Sequence, residues 1–179
     1  MIPTTPVAAM FVSVVIPTYN RRPILEKCLL ALEQQQACPL IDRYEVVVVD
    51  DGSTDGTPDW LRQNATRFPH VRLIEQSHGG PAEGRNRGVD HAQGDVIVFI
   101  DSDLVVTDSF LSCHAGSLVS SWAERGDRLC FTYGAVVNTA NFEQPTAERH
   151  KLRDLSWAYF ATGNVAIDKE VCSVPAFRH

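Results

Sequence analysis

The sequence predicts a single α/β domain, in which a mostly parallel central sheet is flanked by helices. Three observations predict this fold. Short runs rich in Val and Ile recur up to Ile100 and are mostly apolar throughout. The segments between these runs carry apolar residues at helical spacing. Each run also ends in a polar cluster, as strands of an open parallel sheet do where a ligand crevice lies.

The four apolar runs are the predicted strands. They comprise Val12 to Ile16, Glu45 to Val49, Val71 to Glu75 and Asp95 to Ile100. Continuous rather than alternating apolar character is typical of strands that are buried on both faces of a parallel sheet. The first run is better explained as a buried strand than as a signal peptide, because no Lys or Arg precedes it and Pro17 closes it.

Three helices are predicted between the runs. The first follows Pro23, and its apolar face consists of Ile24, Leu25, Cys28, Leu29 and Leu32. Thr57 and Pro58 are typical of an N-cap and a first helical position. Pro81 opens the third helix and Gly94 is its predicted stop. The less polar face of that helix consists of Ala82, Val89 and Ala92.

The resulting order, β-α-β-α-β-α-β, implies parallel strands joined by right-handed crossovers. A mixed C-terminal part follows, in which we expect a helix over Ser109 to Glu124 and a strand over Leu129 to Val137. We interpret the polar stretch from Asn138 to Arg153 as a loop or a short helix.

Composition excludes several classes of protein. The net charge of −6 argues against a nucleic-acid partner and against a polybasic membrane segment. No apolar run reaches the roughly 18 residues that a membrane span needs. The five cysteines are odd in number and form no C-x-x-C pair, which favours a reducing compartment. We therefore expect a cytoplasmic protein, either free or peripheral at the cytoplasmic membrane face.

Polar clusters stand at the carboxyl ends of all four predicted strands. They are Pro17 to Asn20, Asp50 to Ser53, Ser77 to Gly80 and Asp101 to Asp103. Asp101 and Asp103 are two residues apart, so in extended chain both carboxylates point the same way and can meet one hard cation. A solvated turn is the alternative interpretation of these two residues.

Asp50 and Asp51 divide two roles between them in our interpretation. One caps a turn or the following helix, while the other faces the crevice, where a carboxylate can accept a bond from the imide N–H of a base. Tyr19 either stacks on a base or is a partly buried core aromatic.

The glycine-rich segment Gly79 to Arg85 is not a phosphate-binding P-loop, since Arg85 and Asn86 stand where Lys and Ser or Thr are required. No G-x-G-x-x-G follows the first strand either, which argues against a dinucleotide site. We expect Arg85 to face the crevice, where it suits a pyrophosphate or a base carbonyl. His78 is interpreted as a surface loop residue.

Together these residues resemble family 2 of the inverting glycosyltransferases, which have the Rossmann-like GT-A fold. The similarity runs from about Phe11 to Glu170. It is carried by Val14 to Asn20, Val48 to Asp55, Gly80 to Ala82, Arg85 to Gly88, Gly94-Asp95, Phe99 to Asp103 and Thr162 to Ile167. The resemblance implies a hexosyltransferase-type enzyme that moves a sugar, with inversion, from a nucleotide-diphosphate donor to a hydroxyl of a saccharide, lipid or protein acceptor. The expected donor is a UDP-sugar.

The resemblance also implies roles for individual residues. Pro17, Thr18, Tyr19 and Asp51 would hold the base with help from Arg85. Asp101 would contact the ribose, and Asp103 would bind the Mn²⁺ or Mg²⁺ that bridges the diphosphate. The full set of nucleotide-sugar candidates is Pro17, Thr18, Tyr19, Asn20, Asp50, Asp51, Arg85, Asp101 and Ser102, with Asp103 and Asp101 as metal candidates.

The resemblance places the donor-binding half at residues 11–105 of the single domain 1–179, and the start of an incomplete acceptor half at 106–179. The catalytic base of the family, an Asp or Glu, is expected beyond His179, and we interpret Asp168 and Glu170 as a helix start. A non-catalytic nucleotide-sugar-binding module is therefore the alternative function. A nucleotidyltransferase is less favoured, since the first loop has only Arg21 and Arg22 as basic residues.

Overall fold

The computed structural model describes residues 8–137, 155–156 and 163–172. Its strands are β1 (Met10–Thr18), β2 (Ile41–Asp50), β3 (Val71–Glu75), β4 (Val96–Ile100), β5 (Phe131–Tyr133), β6 (Val136–Val137), β7 (Leu155–Ser156) and β8 (Asn164–Asp168). Its helices are α1 (Arg22–Leu32), α2 (Thr57–Gln63), α3 (Pro81–His91), α4 (Phe110–Arg125) and α5 (Lys169–Cys172). The predicted β-α-β-α-β-α-β order is confirmed, and β1 and β2 extend beyond the apolar runs at both ends.

The main sheet has six strands in the order β3-β2-β1-β4-β8-β5. Its first four strands are parallel, because β1 pairs with both β2 and β4 and β2 pairs with β3 in that orientation. β8 pairs antiparallel with β4 and with β5. The mostly parallel sheet and the mixed C-terminal part are thus both confirmed.

Both faces of the sheet are buried, which explains why the strands read as apolar throughout. On one face, side chains such as Val14 and Ile16 pack against the apolar sides of α1, α2 and α4. On the other face, Val15 and Val49 pack with Val89 of α3. The two faces of β1 therefore belong to two separate clusters of the core.

The third helix packs closely on the sheet through two glycines, and of the predicted less polar face Val89 and Ala92 are buried. Gly84 and Gly88 are its buried small residues, and Ala82 is exposed. A Cβ at Gly84 would lie 3.0 Å from the Cβ of Pro17, and one at Gly88 would overlap the side chain of Val15. The prediction for Ala82 was therefore wrong, because glycine gives the closest helix–sheet approach.

Gly94 does not end α3, contrary to the prediction. The helix ends at His91, and Ala92 follows in an extended conformation. Gly94 instead lies against β1, where a Cβ would be 2.6 Å from the carbonyl oxygen of Phe11 and 2.7 Å from the backbone nitrogen of Ser13. This glycine is needed for a close approach between two backbones.

The predicted N-cap at Thr57 was also wrong, since Thr57 is the first helical residue of α2 and follows Gly56. The capping group is the carboxylate of Asp55, which accepts hydrogen bonds from the backbone N–H and the hydroxyl of Thr57 at 3.0 and 2.6 Å. The other oxygen of Asp55 accepts a bond of 3.0 Å from the backbone N–H of Arg22, at the start of α1. One side chain thus caps two helices.

The single strand predicted over Leu129 to Val137 is two short strands. β5 joins the main sheet, whereas β6 pairs with β7 in a separate two-stranded sheet. The break falls at Gly134, whose backbone N–H donates to the carbonyl of Asn164. The predicted helix over Ser109 to Glu124 is confirmed as α4, and the stretch from Asn138 to Arg153 lies outside the described residues. No helix within the described ranges has both the length and the apolar character that a bilayer crossing needs.

Candidate functional site

A cavity of about 400 Å³ opens at the carboxyl ends of β1, β2 and β4. The chain leaves β1 toward β2 on one side and later returns as β4 on the other, so the cavity lies at a switch point of the sheet, where α/β folds bind ligands. Its walls are formed by Pro17, Thr18, Tyr19, Arg21, Asp51, His78, Pro81, Arg85, Asp101, Ser102 and Asp103. Every candidate site residue lines this cavity except Asn20 and Asp50.

Asn20 and Asp50 connect the loops beneath the cavity. Asn20 has a left-handed backbone, with φ at 51°, and its Oδ1 accepts a 2.7 Å bond from the backbone N–H of Thr54. Asp50 is buried and its Oδ1 accepts a 2.9 Å bond from the backbone N–H of Ser53. The positions of the two aspartates match the predicted division, because Asp50 caps the turn while Asp51 faces the cavity.

Asp51 is surrounded by donors from the loop after β3. Its Oδ1 accepts bonds from Gln76 Nε2 at 2.7 Å and from the Gly79 N–H at 2.8 Å. Its Oδ2 accepts a bond of 2.9 Å from the Gly80 N–H and lies 2.8 Å from His78 Nδ1. Burial raises the pKa of Asp51, but these hydrogen bonds outweigh burial and the pKa falls below its ordinary value. Asp51 is therefore an ionised acceptor held in one orientation.

Tyr19 and His78 form an aromatic wall of the cavity. Their ring centroids are 4.3 Å apart and their planes are inclined by 33°. Tyr19 is 43% exposed, so it is not the partly buried core aromatic of the alternative interpretation. His78 lies in an exposed loop, as expected, but it also lines the cavity, which the sequence interpretation missed. Its position just after the third strand was the available signal.

Each carboxylate of the Asp101-Ser102-Asp103 segment is paired with an arginine. Arg85 Nη2 lies 2.6 Å from Asp101 Oδ1, and Arg21 Nη1 lies 2.5 Å from Asp103 Oδ2. Arg85 faces the crevice, as the sequence predicted from its place in the first turn of the third helix. Arg21 was not predicted, although it directly follows the polar cluster at the end of β1. The two arginines balance the acidic edge of the sheet.

The two carboxylates of this segment are partly exposed at the cavity. Their side chains are 46% exposed at Asp101 and 43% at Asp103. No group of three or more His, Cys, Asp or Glu residues that could hold a metal occurs among the residues described. The described residues therefore do not provide a complete set of metal ligands. Mg²⁺ and Mn²⁺ are commonly held by one or two carboxylates together with substrate phosphates.

Several buried polar atoms around the cavity have no protein partner among the described residues. They include the hydroxyl of Thr18 and Nε of Arg85, both on residues that line the cavity. Oδ2 of Asp50 and Oε1 of Gln76, just behind the wall, are also without a partner. Buried polar atoms in folded proteins are nearly always hydrogen-bonded, so this concentration of unpaired atoms points to a polar ligand or to ordered water.

Comparison with known proteins gives a consistent result. The profile of the family described as "Glycosyl transferase family 2" matches residues 13–167. Glycosyltransferase AglE of Haloferax volcanii is 34% identical over 125 residues, which are 69% of this chain and 40% of that protein. Poly(ribitol-phosphate) beta-glucosyltransferase of Bacillus spizizenii is 41% identical over 96 residues, 52% of this chain and 15% of the relative.

Two solved structures are similar in fold. Mannosyltransferase PcManGT from Pyrobaculum calidifontis, in complex with GDP-Man and Mn²⁺, has a TM-score of 0.61 at 27% identity, over 92% of this chain and 46% of its own. TarS 1-349 of S. aureus, in complex with UDP-GlcNAc, has a TM-score of 0.54 at 30% identity, over 63% of this chain and 32% of its own. This chain therefore spans less than half the length of the relatives that it matches.

Proposed function

The chain belongs to glycosyl transferase family 2, and we propose that its cavity binds a nucleotide-diphosphate sugar whose sugar is transferred to an acceptor hydroxyl. The GT-A fold that it shares with its structural neighbours supports a donor position at the carboxyl ends of the parallel strands, where open α/β sheets bind their ligands. A UDP-sugar is the donor that we propose first.

One observation carries this proposal: the polar ends of three parallel strands meet in one cavity, and two side chains that line it have buried atoms with no partner in the described part of the chain. Tyr19 offers an exposed ring on which a base can stack. Arg85 Nε and the Thr18 hydroxyl are donors that a base carbonyl or a ribose oxygen can use. Asp101, held by Arg85, is placed to accept a bond from a ribose hydroxyl.

The negative charge of the donor requires local compensation in a protein whose net charge is −6. Arg85 and Arg21 lie in the cavity wall, but each is paired with an aspartate, so the two arginines do not offset the charge of the donor by themselves. Asp103, with Asp101, would hold a Mn²⁺ or Mg²⁺ ion beside the diphosphate. When bound, such an ion stabilises the negative charge that develops on the leaving nucleoside diphosphate.

We propose a single inverting displacement. The acceptor oxygen forms a bond to the anomeric carbon as the bond to the diphosphate breaks, and the proton of the hydroxyl passes to a base. The cavity carboxylates are already engaged: Asp51 by three hydrogen-bond donors and by His78, Asp101 by Arg85, and Asp103 by Arg21. We therefore assign the base to a group outside the described residues. If no such group acts with this chain, the function is that of the alternative, a non-catalytic nucleotide-sugar-binding module.

The similar structures support the choice of donor and of cation. TarS is described with UDP-GlcNAc and PcManGT with GDP-Man and Mn²⁺, which are nucleotide-diphosphate sugars with two different bases. All five cysteines are free, which suits the reducing cytoplasm, where we propose that the protein acts. We propose that the acceptor is a hydroxyl group of a saccharide, lipid or protein.

Calorimetric titration with UDP, in the presence and absence of Mn²⁺, tests the binding site. We expect UDP to bind with Mn²⁺ and to bind much more weakly without it. Asp103→Ala should remove this dependence on Mn²⁺. It should also weaken UDP binding by more than about tenfold, which is the smallest typical cost of changing a residue that only supports the ligands of a metal. Asp59→Ala is the matched control, because this carboxylate is exposed on α2 and lies outside the cavity.

Two results would contradict the site assignment: no UDP binding by the unchanged chain, or unaltered Mn²⁺-dependent binding in Asp103→Ala. Hydrolysis or transfer from a labelled UDP-sugar separates the enzyme from the binding module. Release of labelled sugar from the donor by the unchanged chain, but not by Asp103→Ala, supports the enzyme.

A further inference from the structure

A buried histidine lies behind the cavity and takes no part in the proposed reaction. His114, on α4, is only 6% exposed. Its Nε2 lies 2.9 Å from Oδ1 of Asn164, and its Nδ1 lies 2.7 Å from the hydroxyl of Thr132. An amide oxygen can only accept, so Nε2 carries the proton and Nδ1 accepts from the hydroxyl. A neutral imidazole thus connects α4, β5 and β8.

The amide of Asn164 is fixed by more than this one bond. Asn164 is the first residue of β8 and pairs with Ile100, the last residue of β4. A Cβ at Gly134 would overlap Nδ2 of Asn164, so the backbone of residue 134 closes the other side of the amide. The hydrogen bond to His114 on one side and the backbone of residue 134 on the other therefore hold the amide of Asn164 in place.

The neighbouring residue, Gly163, is in direct contact with the cavity. Its carbonyl oxygen lies 3.4 Å from the backbone nitrogen of Asp101. A Cβ at position 163 would lie 2.5 Å from Oδ2 of Asp101, so the glycine backbone forms a wall beside this carboxylate oxygen. The other oxygen, Oδ1, is held by Arg85 at 2.6 Å. Asp101 therefore sits between Arg85 and the Gly163 backbone.

We propose that His114 is a positioning residue for the donor site, which acts through Asn164 and Gly163 to hold the carboxylate of Asp101 in its orientation. This inference rests on the proposed function, in which Asp101 contacts the ribose. An apolar residue at position 114 would leave the buried Asn164 oxygen without its partner, which is costly, and would also remove the partner of the partly buried Thr132 hydroxyl. The start of β8 would then shift to find new partners, and the wall beside Asp101 would shift with it.

A pair of similar substitutions separates this role from simple packing. In His114→Gln the amide NH₂ reaches the position of Nε2 and can donate to Asn164. In His114→Asn the shorter amide reaches only the position of Nδ1, beside Thr132. Both variants keep a polar, neutral side chain, so they differ chiefly in the bond to Asn164. Leu118→Ala, one turn further along α4 and fully buried, is the control for a general loss of stability.

The experiment measures the dissociation constant of UDP in the presence of Mn²⁺ for the full chain and for each folded variant, together with each variant's free energy of unfolding. We expect His114→Asn to weaken UDP binding about tenfold, which equals about 1.4 kcal/mol. His114→Gln should stay within about twofold of the unchanged chain, or about 0.4 kcal/mol. Leu118→Ala should lose stability without a change in UDP affinity.

A double-mutant cycle tests whether the effect passes through Asp101. In an Asp101→Asn background, His114→Asn should have little further effect on UDP binding, because the carboxylate that it positions is gone. The inference is overturned if His114→Asn and His114→Gln bind UDP alike, or if the effects of the two sites add fully. Absence of UDP binding by the unchanged chain is a different result, which overturns the proposed function and this inference together.

Discussion

Gly94→Ala provides a direct test of the central packing. Gly94 is buried between α3 and β4 and lies against the backbone of β1. Its N–H donates a bond of 2.8 Å to the hydroxyl of Ser13, and the next N–H, of Asp95, donates one of 2.8 Å to the carbonyl of Phe11. An added methyl carbon would lie 2.6 Å from that carbonyl oxygen. Carbon and oxygen normally approach no closer than about 3.3 Å, so the shortfall is about 0.7 Å.

The expected magnitude follows from these contacts. The neighbouring atoms are mostly backbone atoms of the central strand, which cannot rotate away as a side chain can. Overpacking of this kind costs about 1–3 kcal/mol. Moving the segment outward stretches the bond from Gly94 to Ser13, and a lost hydrogen bond costs about 1 kcal/mol. Alanine restores about 0.4–1 kcal/mol by restricting the unfolded chain. We therefore expect a net loss of about 1–3.5 kcal/mol in the free energy of unfolding.

Urea denaturation of the two chains measures this difference, with the slope m as a check that both unfold in the same way. Gly116→Ala is the control, because Gly116 lies within α4 and a Cβ there meets no atom within 4 Å. That variant should gain about 0.5–1 kcal/mol from helix propensity. Equal or greater stability of Gly94→Ala relative to the unchanged chain would refute the close-approach reasoning.

Two further predictions concern the site and its support. Gly163→Ala should weaken Mn²⁺-dependent UDP binding about ten- to a hundredfold, since its Cβ would lie 2.5 Å from Oδ2 of Asp101 and displace that carboxylate; unchanged affinity in calorimetry would contradict this. Burial lowers the pKa of His114 below the ordinary 6.5, although its hydrogen bond to Asn164 opposes the shift. The unfolded chain therefore takes up this proton first, and stability should fall as pH drops below about 6.5 toward the lowered pKa. As pH falls over this range, the urea midpoint should fall less steeply in His114→Gln than in the unchanged chain. Equal pH dependence of the two midpoints would contradict the role of His114 in this loss of stability.

Much of the donor half could be predicted from sequence because it depends on local patterns. Continuous apolar runs gave the first four strands, and the sequence order of polar clusters gave the cavity between β1, β2 and β4. The positions of Asp51, Arg85 and Asp101 in its wall follow from strand ends and from the first turn of a helix.

Several of the errors have a common physical origin, because they depend on contacts between segments that are distant in the sequence. Gly94 has the sequence signature of a helix stop, and only its approach to Phe11 and Ser13 shows its actual role. His114 gives no local signal, because its two partners are 18 and 50 residues away along the chain. His78 lies in a predicted cluster and Arg21 directly follows one, but their pairing with Asp51 and with Asp103 appears only in three dimensions.

The carboxylate of Asp55 makes the loops after β1 and β2 a single unit. It accepts hydrogen bonds from Arg22 at the start of α1 and from Thr57 at the start of α2, so neither helix begins independently of the other. Exchange of only one of these loops with that of a relative would separate the capping group from half of its partners. A chimaera designed to alter base preference should therefore transfer the segment from Tyr19 to Arg22 together with the segment from Asp51 to Thr57.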